Sequence, residues 1–371
     1  MREQILITGG AGFIGSHLAN ELLNYGYQVR VLDNLCPQVH GPDRRRPSYL
    51  SPDVELQIGD VRDSAAVRQA LKDVSAVYHF VAAVGVGQSM YEIAEYTSIN
   101  NVGTAVLLEA LLKSPVQRLI VASSMSLYGE GLYKDVLGRI TCSAGRTLAH
   151  IREQNWELRD ETGSVLIPQP TPETKQPSLN SIYALNKYDQ EQMCLMIGRA
   201  YGIPAVALRF FNIFGPYQAL SNPYTGVLAI FASRLLNNRA PLINEDGMQK
   251  RDFVSVYDVA RACRLALETP EAGGEVFNIA SGRQYTILEL GKRISRALGR
   301  NIEPEVTGKY RSGDIRHCFA DITRAREVLG YEPAIGLEEG LEDLAAWLDG
   351  QIAYDRVAES RNELAARGLM V

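Results

Sequence analysis

Near the N-terminus the stretch ILITGGAGFIGSHLANELL sets Gly9, Gly12 and Gly15 in a GxxGxxG spacing between a β-branched run and an amphipathic helical pattern. Few sequence features restrict a fold more tightly. The backbone must leave a strand, turn sharply and enter a helix, and glycine permits the turn, the close approach of an anion and the contact of helix with strand. The helix N-terminus then offers free N–H donors and a partial positive charge, which suits a pyrophosphate. The following strand pattern, QVRVLD, ends in Asp33, where a carboxylate reaches the ribose hydroxyls of a dinucleotide and repels a 2′-phosphate, so NAD is expected rather than NADP. Asp60, closing ELQIGD, is placed to accept a bond from the adenine amino group, with a plain turn-forming role as the alternative.

The runs QILIT, QVRVLD, ELQIGD, AVYHFVA, RLIVASS and AVALRFF alternate with helix-length amphipathic segments, a rhythm that predicts βαβ units and a parallel sheet. After Phe211 the rhythm loosens. The expected architecture is α/β: a Rossmann-type doubly wound parallel sheet in residues 1–211 and 247–275, and a smaller mixed C-terminal substrate lobe in 212–246 and 276–371. Residues of about 130–172 have mixed charge and weak periodicity, and read as an insertion, either surface elaboration or lid.

Composition narrows the partners. A net charge of -5 provides no basic field for nucleic acid or an anionic membrane surface. No apolar run approaches the ~20 residues that span a bilayer, and the glycine turn begins too early to leave room for a signal peptide. The five cysteines, Cys36, Cys142, Cys194, Cys263 and Cys318, form no CxxC pair, which argues against a disulfide framework and a zinc knuckle; no metal is expected. A cytoplasmic protein acting on small molecules fits best.

The stretch SIYALNK places Tyr183 and Lys187 four residues apart, on one helix face. A phenol with a pKa of about 10 is a poor base at neutral pH, and a neighbouring ammonium together with a positive nicotinamide ring favours its phenolate. Taken together, TGGAGFIG, GDVRD, HFVAA, NNVGT, SSMSLYG, YALNK, RFFNIFGP, RDFVSVYDVA and RSGD resemble the nucleotide-sugar epimerases and dehydratases of the extended short-chain dehydrogenase/reductase family over nearly the whole chain. The resemblance implies that Tyr183 abstracts a sugar hydroxyl proton, Lys187 binds the nicotinamide ribose, and Ser124 assists, with Ser123 and Ser126 as neighbours that otherwise satisfy the strand end. It assigns Phe13, Ile14, Asn34, Val61, Val81, Ala82, Ala83, Asn100 and Ser123 to the NAD site beside Gly9, Gly12, Gly15, Asp33 and Asp60.

Family members that eliminate water carry a Thr-Asp-Glu triplet where this chain has Ser124, Met125 and Ser126, so the resemblance favours epimerisation. Tyr183 would take the C4 hydroxyl proton as hydride moves to NAD, and the 4-keto sugar would turn over before hydride returns. The resemblance also points to Asn212 as a substrate contact, Arg251 and Arg311 at the diphosphate, Asp314 at the nucleoside ribose and Cys318 at the sugar pocket. Each has a plain structural alternative: Asp252 could pair with Arg251, and Cys318 could be a packed thiol. Val84 stands where UDP-galactose 4-epimerases have lysine. The AAVGVGQSMYEI segment, the insertion and the ARGL tail look most like dTDP-L-rhamnose 4-epimerases, giving a dTDP- or UDP-linked sugar as substrate. A UDP-glucose or UDP-N-acetylglucosamine 4-epimerase, a 4-keto-sugar reductase and an NAD-binding sensor are the competing readings. Apolar stripes in NVGTAVLLEALLKS and YALNKYDQEQMCLMIGRAYG predict a homodimer.

Overall fold

Every run read above as a strand enters one sheet in the computed structural model, which describes residues 3–141 and 145–370. Seven parallel strands lie in the order Val276–Ile279, Ala205–Phe210, Arg118–Ser124, Ala76–His79, Gln4–Thr8, Gln28–Asp33, Glu55–Ile58. Parallel strands need helical crossovers, so helices cover both faces and the central strands are buried along their length, whereas the edge strand Glu55–Ile58 stays partly exposed. Ile5, Leu6 and Ile7 are accordingly all buried, with Ile5 and Ile7 in one core and Leu6 in the other. Strand order reverses between Gln4–Thr8 and Ala76–His79, and the crevice at such a reversal is where α/β sheets bind ligands.

The glycines of the first turn are there for different reasons. Gly9 has φ +70°, and a Cβ there would lie 2.7 Å from the Val81 Cα. A Cβ on Gly15 would lie 2.5 Å from the Gly10 Cα, so Gly15 lets helix Phe13–Asn24 pack on the turn that precedes it. At Gly12 the nearest atom to an added Cβ is the Gly9 carbonyl at 3.4 Å, an ordinary contact. Folding does not demand glycine at position 12.

The second lobe gathers helices Val227–Leu236, Ile287–Ala297 and Leu337–Leu348 around Phe214, Phe231, Leu290 and Leu341. Two expected boundaries shift. Strand Val276–Ile279, assigned to the lobe, pairs with Ala205–Phe210 as the edge of the large sheet, and helix Thr323–Leu329 packs beneath it through Ala325 and Leu329. Lys250–Arg251, assigned to the dinucleotide domain, pairs instead with Tyr285–Thr286 and His317–Cys318 in a small lobe sheet. The chain crosses between lobes repeatedly, and short strands carry too little pattern to mark each crossing.

The insertion has its own structure: strands Leu132–Lys134, Ile140–Thr141 and Ile167–Gln169 around buried Tyr133, Leu158 and Leu166. Among the described residues no helix is long and apolar enough to cross a membrane. Cys36, Cys194, Cys263 and Cys318 are free thiols, and Cys142 lies outside the described residues. Gly15→Ala is expected to lower stability by about 1–3 kcal/mol through overpacking, and Gly12→Ala to stay within about 0.5 kcal/mol of the parent. Urea unfolding checks both, and equal losses would contradict the division of roles.

Candidate active site

Tyr183 stands in the first turn of helix Ile182–Tyr201, which starts where the Ser181 hydroxyl accepts the Ala184 N–H at 3.1 Å and ends at Gly202 with φ +69°. The Tyr183 N–H donates to Ser89 Oγ at 3.0 Å, which ties the helix start to the segment after strand Ala76–His79. The phenol opens on a cavity of about 390 Å³ and hydrogen-bonds to Ser124 at the end of strand Arg118–Ser124. Ser124 Oγ also accepts from Ser126 N at 3.2 Å and Ser126 Oγ at 2.9 Å.

Lys187 lies one turn further on, deep and nearly inaccessible. Its ammonium donates to Gln190 Oε1 at 2.7 Å, Gln190 Nε2 donates to Thr104 Oγ1 at 2.9 Å, and Thr104 Oγ1 meets His79 Nε2 at 2.8 Å. Because the Thr104 hydroxyl donates to the Asn100 carbonyl at 2.5 Å, its oxygen accepts from His79 Nε2–H. The other ring nitrogen then accepts from Thr8 Oγ1 at 2.9 Å. Burial and the Lys187 charge hold this imidazole neutral, near a pKa of about 3. Burial also pulls Lys187 down to about 8, partly offset by Cys194 and Glu191.

The phenolate expected at Tyr183 rests on the Lys187 ammonium together with the positive nicotinamide ring, and the protein's own groups alone do not favour it. Burial pushes the phenol up to about 12, with the Ser124 hydrogen bond acting in the opposite direction. Here the ammonium is directed to Gln190, and desolvation outweighs any help it gives.

The residues in the crevice fit a dinucleotide. Helix Phe13–Asn24 begins at Gly12 without a side-chain cap, so its first amides are open, and Gly12 leaves space before them. Asp33 accepts from the Ala11 N–H at 3.0 Å and the Leu35 N–H at 2.9 Å, one per oxygen, and each oxygen keeps a lone pair for a hydroxyl. Asp60 accepts from Arg62 Nε at 2.9 Å, Arg62 Nη2 at 2.8 Å and Asn34 Nδ2 at 3.2 Å, and these bonds bring its carboxyl down to about 2. Asn34 thus steadies Asp60. The Asn100 amide clamps Ala83 N and O at 2.8 and 3.1 Å from a π-helical turn, Ser98–Val102. Val61 packs where Gly103 lacks a side chain, and Val81 and Ala82 run past Gly9 between the strand end and Ala83.

Ser124, Ser126, Tyr183, Asn212, Arg251, Arg311 and Asp314 line the one cavity, as expected for a substrate site. Asn212 Nδ2 donates to the Asp252 carbonyl at 2.9 Å. Asp252 does not pair with Arg251: its oxygens accept from Ser281 Oγ, Ser281 N and Gly282 N at 2.7, 2.8 and 2.9 Å. Among the described residues Arg251 donates only to backbone carbonyls, of Lys250 and Arg316 at 2.9 Å and of Ile315. Arg311 is bound to Asp314 through Nη2 at 2.6 Å.

Two expected site residues lie elsewhere. Cys318 is absent from the cavity wall and packs near Thr171 with its thiol pushed up to about 12 by burial, so the packed-thiol alternative describes it. Ser123 points its hydroxyl into a buried ion pair, donating to Glu191 Oε2 at 2.6 Å. Sequence reading also missed groups. His79, Thr104 and Gln190 behind Lys187 gave no signal beyond being polar in apolar runs, and the wall formed by helix Val357–Ala366 and Met370 left only the ARGL tail as a trace.

Comparison with known proteins agrees with this geometry. Residues 5–145 and 161–280 match the NAD dependent epimerase/dehydratase family. The chain is 34% identical over 350 residues to the dTDP-L-rhamnose 4-epimerase of Burkholderia thailandensis, covering 93% of this chain and 95% of that protein. Among solved structures, the Thermotoga maritima UDP-glucose 4-epimerase with UDP-glucose superposes with a TM-score of 0.76 at 32% identity, covering 94% of this chain and 99% of that one. The Thermus thermophilus UDP-glucose 4-epimerase complex with NAD gives 0.74 at 28%, covering 94% and 100%. Sequence, sheet order and site geometry converge: the chain belongs to the NAD dependent epimerase/dehydratase family.

Proposed function

We propose that the protein is a nucleoside-diphosphate-sugar 4-epimerase that inverts C4 through a transient 4-keto sugar. One observation carries the reading. Tyr183 and Ser124 face a cavity whose single lining carboxylate among the described residues, Asp314, is bound to Arg311, so no free carboxylate lines it to serve as the added acid or base of a water elimination. Bound NAD would accept and return a hydride, held by Gly9, Gly12, Gly15, Asp33 and Lys187. The chain itself handles the proton. Tyr183 Oη would receive it from the C4 hydroxyl and give it back, while Ser124 Oγ keeps the phenol oriented and favours its ionised form.

The cavity that Tyr183 lines has an apolar surface made by Val84, Val86, Met125, Phe210 and Phe211, beside the polar Ser126, Asn180 and Ser181. Such a surface suits the C6 methyl of a 6-deoxy sugar better than a hydroxymethyl group, which would need a partner there. With the similarity to the Burkholderia enzyme, this favours dTDP-L-rhamnose and its C4 epimer, dTDP-6-deoxy-L-talose, over UDP-glucose. The free thiols of the described cysteines suit a reducing cytosol.

The protein is also proposed to act as a homodimer. Val102 and Leu112 in one helical stretch and Leu185 and Met196 in another are 39–50% exposed, and an Asn101 Nδ2 to Asp189 Oδ2 bond of 2.7 Å sets the two segments side by side. Leu185 and Met196 are three turns apart on one face. A two-helix apolar face of this kind is what a second copy would cover.

Three outcomes are expected. Purified protein interconverts dTDP-L-rhamnose and its C4 epimer without added coenzyme, and Tyr183→Phe lowers kcat by about 10²–10⁴-fold; turnover that instead consumes NADPH would identify a reductase. Ser124→Ala removes a bond that lowers the Tyr183 pKa, so the rising limb of kcat/KM against pH moves to higher pH; an unmoved limb would show that the serine does not act through the phenol. Light scattering at micromolar concentration gives a dimer, and Leu185→Asp with Met196→Asp gives a monomer.

A further inference from the structure

The C-terminal helix Val357–Ala366 lies against the substrate cavity rather than beyond it. Val357, Ser360, Arg361 and Leu364 line that cavity, and their i, i+3, i+4, i+7 spacing puts them on one helix face. Leu364 is seated by Gly87, where an added Cβ would lie 3.3 Å from its Cδ2. Beyond the helix, the chain returns to the site: Ser312 N donates to the Leu369 carbonyl at 2.9 Å, and Met370 pairs with Arg311.

Within this packed stripe Arg361 has no carboxylate at ion-pair distance among the described residues; its one hydrogen bond goes to Asn244 Oδ1 at 3.2 Å. Asn244 is held in turn near Asp314 Oδ2, at 3.4 Å, and Asp314 binds Arg311. Gln249 lines the cavity beside them and steadies the corner, its Nε2 donating to the Asn244 carbonyl at 2.9 Å. Burial, Arg234 and Arg311 all disfavour the charge on Arg361, and only Glu305 opposes them. A guanidinium kept in a half-buried cavity with like charges near it and, among the described residues, no carboxylate at ion-pair distance costs free energy that an anion would offset.

We propose that Arg361 is a third guanidinium, beside Arg251 and Arg311, that binds the phosphates of the nucleoside diphosphate, making the C-terminal helix part of the substrate site. This rests on the nucleotide-sugar reading above. It adds a residue from outside the matched family region, which ends at residue 280.

Isothermal titration of the NAD-containing protein with UDP and with dTDP tests it. Arg361→Gln is expected to weaken both by about 10- to 100-fold, the loss of a charge-assisted contact, and equally for both because the phosphates are common to them. Arg361→Lys should recover part of the loss. The nucleotide-free melting temperature should be unchanged or higher, since an uncompensated charge is removed. Unchanged affinity, loss for one nucleotide alone (base recognition), or a melting drop of several degrees accompanying the loss (a structural arginine) would each overturn the assignment. Arg251→Gln separates this from the parent reading: weaker UDP binding by that variant with none from Arg361→Gln sinks only the Arg361 role, whereas a parent protein that binds neither nucleotide sinks the nucleotide-sugar reading itself.

Discussion

Helix Ile182–Tyr201 turns Lys187, Gln190 and Glu191 inward against the sheet, and the position of the reacting phenol depends on how these polar groups are satisfied. Burying a charge costs several kcal/mol unless geometry and hydrogen bonds compensate. Glu191 is gripped at both oxygens by Arg209, at 2.7 and 3.0 Å, and receives the Ser123 hydroxyl as well. Arg209 carries the network on to Tyr128 Oη at 2.8 Å, and Tyr128 donates to Asn278 Oδ1 at 2.7 Å. Strands Arg118–Ser124, Ala205–Phe210 and Val276–Ile279 are thereby joined to one face of one helix. The pairing admits a single register, because a slip of one residue would leave an ionised group without its partner. Tyr183, two turns before Glu191, is fixed at the cavity as a consequence.

The same arrangement explains why the tyrosine and lysine differ electrostatically from the expectation raised by their spacing. A spacing of four residues guarantees a shared face and nothing about where a flexible ammonium points. Gln190, one turn beyond Lys187, offers an oxygen at 2.7 Å, and the chain Thr104, His79 and Thr8 behind it gives that amide a fixed orientation. The lysine is therefore held by the protein at the strand ends, where a ribose would lie, rather than left to collapse onto the phenol.

Local pattern made the large sheet, the glycine turn and the Tyr183–Lys187 pair legible, because each is written within a few consecutive residues. The segments Gln4–Thr8 through Ala205–Phe210 carry long apolar runs, and periodicity suffices for them. The lobe boundary was not legible. Lys250–Arg251 and His317–Cys318 are two-residue strands, and their pairing is set by tertiary contact alone. Cys318 and Ser123 failed for a related reason: motif position gives the backbone, and neighbours distant in sequence, Thr171 and Glu191, decide where the side chain goes.

The insertion shows how far mixed charge can mislead. Its mixed charge reads as surface elaboration or lid, yet Arg146 donates to Glu245 Oε1 at 2.7 Å and Arg316 to Glu245 Oε2 at 2.9 Å, with all three side chains buried. Arg146 Nη2 also reaches the Asp314 carbonyl at 3.1 Å, and Glu157 accepts from Arg316 Nε and from His317 at 3.0 Å. Glu245 thus neutralises one arginine from the insertion and one from the strand region that follows Asp314. Neither elaboration nor lid describes this well. A lid must leave, and leaving would take Arg146 from Glu245 and Glu157 from Arg316, breaking two buried charge contacts while Arg316 keeps Glu245 and Asp246. The insertion is better understood as a fixed buttress that holds the Arg311–Asp314 turn against the cavity, with Asn244 and the C-terminal helix closing the other side.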